Sequence, residues 1–243
     1  MSSLKGRTVI ITGASSGIGE ETARLLASRS ANIVIGARRV ERLEALASKI
    51  QQDGGSVTVQ RLDVTALEEM QEIIKLAQSR YGQVDAIVNN AGVMPLSPLE
   101  ALKIEEWNRM IDVNIRGVLH GIAAGLPVMK EQGFGQFVNV ASIGAYEVSP
   151  TATVYSATKY AVRAITDGLR QETAGQNIRA TLISPGVTES ELADSITHKE
   201  TIDFMKEYRR IALPAAAIAR SIAYAIEQPT DVDVNEVVIR PLV

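Results

Sequence analysis

Two side chains that could exchange a proton stand four residues apart in the second half of the chain, Tyr155 and Lys159. On a helix this spacing places both on one face. A phenol has an ordinary pKa of about 10, so at neutral pH it can donate a proton but is a poor base, and a nearby ammonium stabilises the phenolate. Lowering that pKa by about three units would require about 4 kcal/mol from the neighbouring charge. The pair is therefore a candidate acid and base, although such pairs also arise by chance on exposed helices.

Two polar residues that precede this pair could complete a catalytic site. Ser142 stands thirteen residues before Tyr155, at the end of a predicted strand, where its hydroxyl could bind a substrate oxygen beside the phenol. Asn114 lies inside a predicted long helix, where its amide competes with main-chain hydrogen bonds. Two explanations account for an asparagine at this position. The helix is distorted there for a functional use, such as holding an ordered water, or the amide is simply buried with its hydrogen bonds satisfied.

A glycine-rich turn follows the first predicted strand and precedes a helix, in the sequence TGASSGIG at 12–19. Glycines allow the main chain to approach a pyrophosphate, and the N-terminus of the next helix supplies free N–H groups and a positive dipole end. Glycines alone can also mark a simple turn, but the strand–turn–helix context and the second strand that follows favour a dinucleotide site. The expected contacts are Gly13, Ser15, Ser16, Gly17, Ile18 and Gly19.

The second predicted strand ends in Arg38 and Arg39, where an NAD-binding chain would carry an acidic residue. Guanidinium groups form charge-assisted hydrogen bonds to a ribose 2′-phosphate, which a carboxylate would repel. The expected cofactor is NADP(H), with Arg38 as the principal contact and Arg39 as a second contact or a stack on adenine, unless the pair is only a solvated helix start. Asp63, which ends the third strand, could accept from the adenine amino group or cap the next helix, for which Thr65 is an equal candidate.

The elements that position these residues alternate between short apolar runs rich in Val and Ile and longer segments with apolar residues at helical spacing. This pattern predicts an α/β fold with a doubly wound parallel sheet in a single domain over residues 1–243, because no linker interrupts it. The long, polar segment 187–213 is expected to be a substrate loop or lid, before a helix that Pro214 begins. Predicted strands cover 8–12, 32–37, 56–62, 85–89, 137–140, 179–183 and 237–239, and helices cover 17–28, 40–52, 66–80, 105–129 and 155–172.

Composition excludes several classes of function. The balance of 25 Lys and Arg against 28 Asp and Glu leaves a net charge of −3, which gives no reason to expect nucleic acid or a membrane surface as a partner. The chain has no cysteine, and its two histidines, His120 and His198, are far apart, so thiol chemistry is excluded and no metal site is expected. The first apolar segment, of about six residues, is too short for a signal-peptide core, and no run approaches the roughly 18 apolar residues of a membrane span, so a cytoplasmic location is expected.

In their order and spacing these motifs resemble the short-chain dehydrogenase/reductase family over essentially the entire chain. The matching motifs are TGASSGIG (12–19), NNAG (89–92), Asn114, Ser142, YSATK (155–159) and SPG (184–186). The resemblance implies a Rossmann-type sheet of seven parallel strands. The segment GARRVERLEAL (36–46) is similar to NADP-dependent bacterial members that act on small hydroxy acids or aldehydes, such as serine and clavulanate-type dehydrogenases.

The resemblance also implies a role for each matching residue. Tyr155 would be the acid and base, Lys159 would lower its pKa and bind the nicotinamide ribose, Ser142 would orient the carbonyl, and Asn114 would hold a proton-relay water. A homo-oligomer, either a dimer or a tetramer, is implied through the helices at 105–129 and 155–172. Further cofactor contacts would be Val64, Asn90, Ala91 and Gly92, together with Pro185, Gly186, Val187 and Thr188 around the nicotinamide.

The function that these features predict is NADP(H)-dependent hydride transfer to or from a small carbonyl compound, secondary alcohol or hydroxy acid. The alternatives are a nucleotide-binding regulatory protein without turnover and, less well supported, a methyltransferase, in which neither the Tyr/Lys pair nor the arginines would have a role. Substrate identity stays open, since candidate pocket residues could equally be core packing and no cationic cluster is placed for a carboxylate. Those candidates are Met94, Pro95, Ile143, Tyr146, Glu147 and Val187, beside Ser142 and Tyr155.

Overall fold

The inner strands of the sheet are buried on both faces, which is why their sequences are mainly apolar rather than alternating. All five residues of the first strand, for example, are buried. In the computed structural model, which describes residues 4–242, all strand pairings are parallel, as predicted. The strands are β1 (Thr8–Thr12), β2 (Asn32–Ala37), β3 (Ser56–Arg61), β4 (Ala86–Asn89), β5 (Gly135–Val140), β6 (Ile178–Pro185) and β7 (Glu236–Ile239).

The order of the strands confirms the seven-stranded Rossmann-type sheet. It runs β3-β2-β1-β4-β5-β6-β7, so the chain moves outward from β1 to β3 and then returns to the other side of β1. Such a reversal opens a crevice beyond the carboxyl ends of β1 and β4, which is where doubly wound sheets bind their ligands. The predicted glycine-turn contacts follow β1, and all of them except Gly19, which is buried within α1, line the cleft at this crevice.

Helices cover both faces of the sheet. One core contains Val9 and Ile11 of β1 together with residues of α1, α2 and α8, and the other contains Ile10 with residues of α3, α5 and α6. This division follows from the alternation of side chains along a strand. The helices are α1 (Gly17–Ser28), α2 (Val40–Gln52), α3 (Leu67–Tyr81), α4 (Ile104–Ile111), α5 (Gly117–Gln132), α6 (Thr153–Glu172), α7 (Lys199–Tyr208) and α8 (Ala215–Glu227).

The helix predicted over 105–129 is distorted at Asn114. A π-helical turn over Asp112–Arg116 separates α4 from α5, and Asn114, at its centre, is buried. Single π turns within α-helices recur at functional sites, because they redirect one side chain without ending the helix. The unusual position of this asparagine in the sequence was therefore a sign of real backbone irregularity.

The segment 187–213, predicted to be a substrate loop or lid, contains regular structure that the sequence did not predict. It contains a 3₁₀ turn over Glu191–Ser195 and the helix α7. Met205 of α7 and Ile196 before it pack in the same apolar cluster as Tyr155. The helix was missed because half of its residues are charged, and because part of its apolar packing is with residues distant in sequence, such as Tyr155. Within residues 4–242, no helix is long and apolar enough to cross a membrane.

Candidate active site

The carboxyl ends of the strands open on one large cleft of about 1230 Å³. Pockets for a single small ligand usually enclose roughly 300–1000 Å³, so this cleft has room for a dinucleotide and a second small molecule. One end is lined by the turn after β1 and by Arg38. The other end is lined by Ser142 and Tyr155, and residues of the 187–213 segment line the cleft at both ends. The fold thus brings both halves of the predicted site together.

The glycine turn after β1 packs directly on the segment that follows β4. Gly13 has a positive φ of +67°, and a Cβ on it would lie 2.7 Å from the Cα of Ala91. A Cβ on Gly19 would lie 2.5 Å from the carbonyl oxygen of Gly13. The Thr12 hydroxyl accepts hydrogen bonds from the main-chain N–H groups of Asn90 and Ala91, both at 3.1 Å. Because only glycine allows this close approach, the turn packs directly against the segment that follows β4.

The N-terminus of α1 is left open toward the cleft. Ser16 occupies the N-cap position in an extended conformation, but its hydroxyl does not cap the helix. Instead it accepts a hydrogen bond from Nη2 of Arg39 at 3.0 Å. The first N–H groups of the helix therefore have no side-chain partner, and this is the arrangement that attracts an anion such as a pyrophosphate. The turn thus fits a dinucleotide.

The two arginines after β2 differ in their surroundings. Arg38 is exposed at the cleft, and among residues 4–242 its side chain makes no hydrogen bond or ion pair. Arg39 is engaged: its Nε and Nη2 donate to Oγ of Ser15 at 3.2 and 2.9 Å, and its Nη1 donates to Glu191 at 2.7 Å. A third arginine, Arg42, also lines the cleft and pairs with Glu191. Sequence reasoning missed Arg42, although its position one turn beyond Arg38 on α2 was a usable signal.

Asp63 lines the same end of the cleft but does not cap α3, and neither does Thr65, so both capping alternatives are wrong. The helix begins at Leu67, and Ala66 occupies the N-cap position. Oδ1 of Asp63 accepts from the N–H of Thr65 at 3.0 Å and from its hydroxyl at 2.8 Å. Burial acts to raise the pKa of Asp63, but these hydrogen bonds and the charge of Arg38 lower it overall. An ionised acceptor therefore faces the cleft.

Ser142, Tyr155 and Lys159 form one cluster at the other end. Ser142 follows β5, accepts from the N–H of Gly144 at 3.1 Å and is hydrogen-bonded to the Tyr155 side chain. Nζ of Lys159 lies 5.7 Å from the centre of the Tyr155 ring and donates to the carbonyl oxygen of Val140 at 2.9 Å. Both Tyr155 and Lys159 are buried. An acid, a hydroxyl and an ammonium thus meet at one point of the cleft wall.

The predicted lowering of the Tyr155 pKa is wrong for the chain by itself. Burial raises the pKa of Tyr155 to about 12, although the hydrogen bond with Ser142 acts in the opposite direction. Burial also lowers the pKa of Lys159 to about 8. A phenolate removed from water loses its solvation, and the Lys159 ammonium is bonded to a carbonyl rather than to the phenol oxygen. At neutral pH the site therefore presents a protonated phenol that can donate.

Asn114 links the segment that follows β4 to α6, the helix that carries Tyr155 and Lys159. Its side-chain oxygen accepts from the N–H of Val93 at 2.9 Å, and its amide donates to the Val93 carbonyl at 3.0 Å and to Thr158 at 3.1 Å. A Cβ on Gly92 would lie 3.4 Å from the Asn114 oxygen and 3.8 Å from Nζ of Lys159. The π turn is thereby tied to α6 beside the lysine. The helix is distorted here and the amide is satisfied, whereas a functional use of the distortion stays a prediction.

The expected substrate residues are only partly brought to the cleft. Tyr146 does not line it: its hydroxyl shares a hydrogen bond with Ser184 at 3.2 Å, and Arg163 lies over its ring. Its predicted contact with substrate therefore finds no support, and Pro95 does not reach the cleft lining either. Glu147 lines the cleft but pairs with Arg240 at 2.6 Å. The other expected residues on the lining are Met94, Ile143, Pro185, Gly186, Val187 and Thr188.

Sequence reasoning missed the apolar wall that α7 contributes. Phe204 and Tyr208 line the cleft with their rings stacked 6.0 Å apart, and Met205 packs in the cluster that contains Tyr155. Aromatic residues at i and i+4 were the available signal. Within residues 4–242, no three His, Asp or Glu side chains are grouped for a metal ion.

Comparison with known proteins adds independent findings. A family model described as short chain dehydrogenase matches residues 7–201. An uncharacterized oxidoreductase of Staphylococcus saprophyticus is 49% identical over 243 residues, covering 99% of this chain and 98% of that one. The solved structure of alcohol dehydrogenase from the archaeon Thermococcus sibiricus complexed with 5-hydroxy-NADP is 33% identical, with a TM-score of 0.86 and 97% of both chains covered. The closed form of serine dehydrogenase complexed with NADP⁺ is 27% identical, with a TM-score of 0.88 and 96% of this chain and 94% of that chain covered.

Proposed function

Since the chain belongs to the short-chain dehydrogenase/reductase family of oxidoreductases, we propose that it is an NADP(H)-dependent enzyme acting on a small carbonyl compound or the corresponding alcohol. The observation that carries this proposal is the placement of Ser142, Tyr155 and Lys159 in the same cleft as the glycine turn and Arg38. Nicotinamide cofactors are bound by neighbours of this fold, among them the alcohol and serine dehydrogenases. The complete acid cluster argues against a purely regulatory nucleotide-binding protein.

The cofactor would lie along the crevice between the two ends of the cleft. The open N-terminus of α1 supports a pyrophosphate site, and the unpaired Arg38 supports a 2′-phosphate site. Asp63 would accept from the adenine, and Lys159 would bind the nicotinamide ribose. The remaining assigned contacts are Gly13, Ser15, Ser16, Gly17, Ile18, Gly19, Arg39, Val64, Asn90, Ala91, Gly92, Tyr155, Pro185, Gly186, Val187 and Thr188.

Hydride transfer is the chemistry that the cofactor supplies when bound. The chain supplies the proton and its position: Tyr155 donates to the carbonyl oxygen, and the Ser142 hydroxyl orients that oxygen beside the phenol. Lys159 places a positive charge near the developing phenolate. Because burial raises the pKa of Tyr155 to about 12, the phenol is protonated at neutral pH and can donate its proton to a carbonyl oxygen.

The substrate class in this proposal is a small ketone, aldehyde or hydroxy acid, with Met94 and Glu147 beside the catalytic cluster. Self-association as a dimer or tetramer is also proposed, because apolar residues are exposed on α4, α5 and α6, among them Ile104, Leu119 and Tyr160. A cytoplasmic location is proposed on the ground that NADPH-dependent reduction needs the cell's supply of that cofactor.

The direct test is a panel of ketones, aldehydes and 2- and 3-keto acids with NADPH, followed by the absorbance of the reduced nicotinamide. At least one class is expected to accelerate NADPH oxidation well above the rate without a carbonyl compound. If NADPH binds but no member of the panel is reduced, the result would favour a regulatory nucleotide-binding protein over an enzyme.

A second prediction concerns pH. Because Lys159 is charged only below its pKa of about 8, kcat/KM for NADPH should be level between about pH 6 and 7.5 and fall up to about tenfold per pH unit above pH 8. Tyr155, with its pKa raised to about 12, should add no inflection in this range. Initial rates at constant ionic strength measure the profile, and Lys159→Arg, which stays charged, should remove the alkaline fall. A profile level to about pH 10 in the wild type would contradict the assignment.

A further inference from the structure

A carboxylate from the 187–213 segment reaches the arginines that follow β2. Oε2 of Glu191 accepts from Nη1 of Arg39 at 2.7 Å, and Oε1 accepts a short hydrogen bond from Nη1 of Arg42. Glu191 is the first residue of the 3₁₀ turn at Glu191–Ser195, so it comes from a different part of the chain. Its two oxygens bridge two guanidinium groups, as the oxygens of a phosphate would.

Each nitrogen of the Arg39 guanidinium group already donates a hydrogen bond within the chain. Nε and Nη2 donate to the hydroxyl groups of Ser15 and Ser16, and Nη1 donates to Glu191. Arg38, one residue earlier, has no such partners among residues 4–242. An anion arriving at the end of β2 can therefore bond to Arg38 at once, but it can form a paired contact with Arg39 only by displacing a group already bound there.

Glu191 is charged under all conditions in which a nucleotide would bind. The hydrogen bond from Arg42, followed by that from Arg39, lowers the pKa of Glu191 to about 2. The carboxylate is also partly open to solvent, so an incoming group can compete with it. The Glu191 carboxylate is thus an anion of the chain itself that is bound to the guanidinium groups of Arg39 and Arg42.

We propose that Glu191 is a cofactor-specificity-determining residue, whose carboxylate competes with a ribose 2′-phosphate for Arg39 and Arg42. This inference rests on the proposed function, because it takes the end of β2 as the ribose site. A nucleotide with a free 2′-hydroxyl has no charge with which to displace the carboxylate, so Glu191 acts on only one of the two cofactor types. The chain is thereby less selective for NADP(H) than three free arginines would make it.

The segment is anchored independently of Glu191, so removing the carboxylate charge should not release it. Arg209 donates a short hydrogen bond to the carbonyl oxygen of Ser190, and the N–H of Met94 donates to Ser195 at 3.3 Å. The Thr197 hydroxyl also donates to Glu106 at 2.6 Å. The effect of a Glu191 variant on binding can therefore be attributed to charge rather than to a displaced loop.

The test compares Glu191→Gln with wild type and with Glu189→Gln. Glu189 is an exposed carboxylate two residues earlier, and its side chain has no hydrogen bond or ion pair within residues 4–242. Calorimetric dissociation constants are measured for adenosine 2′,5′-bisphosphate and for 5′-AMP, which differ only in the 2′-phosphate. Glu191→Gln should bind the bisphosphate roughly three- to tenfold more tightly, with 5′-AMP changed less than about twofold, and Glu189→Gln should match the wild type.

Three results would overturn the inference. Weaker binding of the bisphosphate by Glu191→Gln would mean that the carboxylate orders the arginines for the phosphate. No change in either dissociation constant, or an equal fold-change in both, would mean that Glu191 does not act on the 2′-phosphate. Failure of the proposed function is distinguishable, because a wild-type chain that does not prefer the bisphosphate, with Arg38→Gln no weaker, removes the NADP(H) assignment itself.

Discussion

Replacing Tyr155 with Phe should lower kcat for carbonyl reduction by about 10²- to 10⁴-fold, the range that a positioned proton donor contributes. The dissociation constant of NADPH should change by less than about threefold, because the glycine turn and Arg38 lie at the other end of the cleft. The variant keeps the ring that packs with Met205 and loses only the hydroxyl bonded to Ser142. Steady-state rates and fluorescence titration of NADPH measure the two quantities separately.

Tyr224→Phe is the matched control for this prediction, since it removes the same hydroxyl from an exposed position on α8. It should leave both quantities at the wild-type value. Thermal unfolding shows whether Tyr155→Phe still folds, and a loss of about 1 kcal/mol in the free energy of unfolding is expected for one buried hydrogen bond. Turnover that survives in a folded Tyr155→Phe variant would show that another group donates the proton.

Replacing Arg38 with Gln should weaken binding of NADPH by about 10- to 100-fold and of NADH by less than about twofold. Hydrogen bonds from a guanidinium to a phosphate are worth about 1.5–3 kcal/mol when they are charge-assisted, and NADH lacks the group that receives them. The effect should be large because Arg38 has no competing partner within residues 4–242, in contrast to Arg39. Dissociation constants of both cofactors at fixed ionic strength give the ratio.

Arg61→Gln serves as the control, because Arg61 ends β3, pairs with Glu69 and does not line the cleft. Arg61→Gln should change the electrostatic potential around the site without removing a direct contact with the cofactor. The ratio of the dissociation constants of NADPH and NADH should therefore stay nearly constant. Equal losses of NADPH and NADH binding in Arg38→Gln would show that this arginine does not recognise the 2′-phosphate.

Much of the fold and of the candidate active site could be predicted from the amino-acid sequence, because those features are local. A strand buried on both faces needs a continuous apolar run, as in β1, and this pattern is visible whatever surrounds it. The turn with Gly13 and Gly19 and the spacing of Tyr155 and Lys159 are equally local. Even the π turn was signalled by one residue type, Asn114, in an unsuitable place.

Features that depend on contacts between distant segments could not be read in this way. The helix α7 carries few apolar residues, and it was missed because Met205 is buried in a cluster that includes residues distant in sequence, such as Tyr155. Tyr146 was expected near the substrate from its place in sequence, yet Ser184 and Arg163 hold it elsewhere. No residue near Arg39 in the sequence predicts its ion pair with Glu191, which lies more than a hundred residues further along the chain.

The sequence by itself therefore determined which groups the proposed site contains: a glycine turn, arginines after β2, and a tyrosine, lysine and serine at the carboxyl ends of the strands. Tertiary structure alone decided the protonation and availability of those groups. Burial raises the pKa of Tyr155 to about 12, and Glu191 occupies Arg39 while leaving Arg38 open. The physical reason is that solvation and charge depend on what the folded chain places within a few ångströms, whereas residue type and spacing are properties of the chain in any conformation.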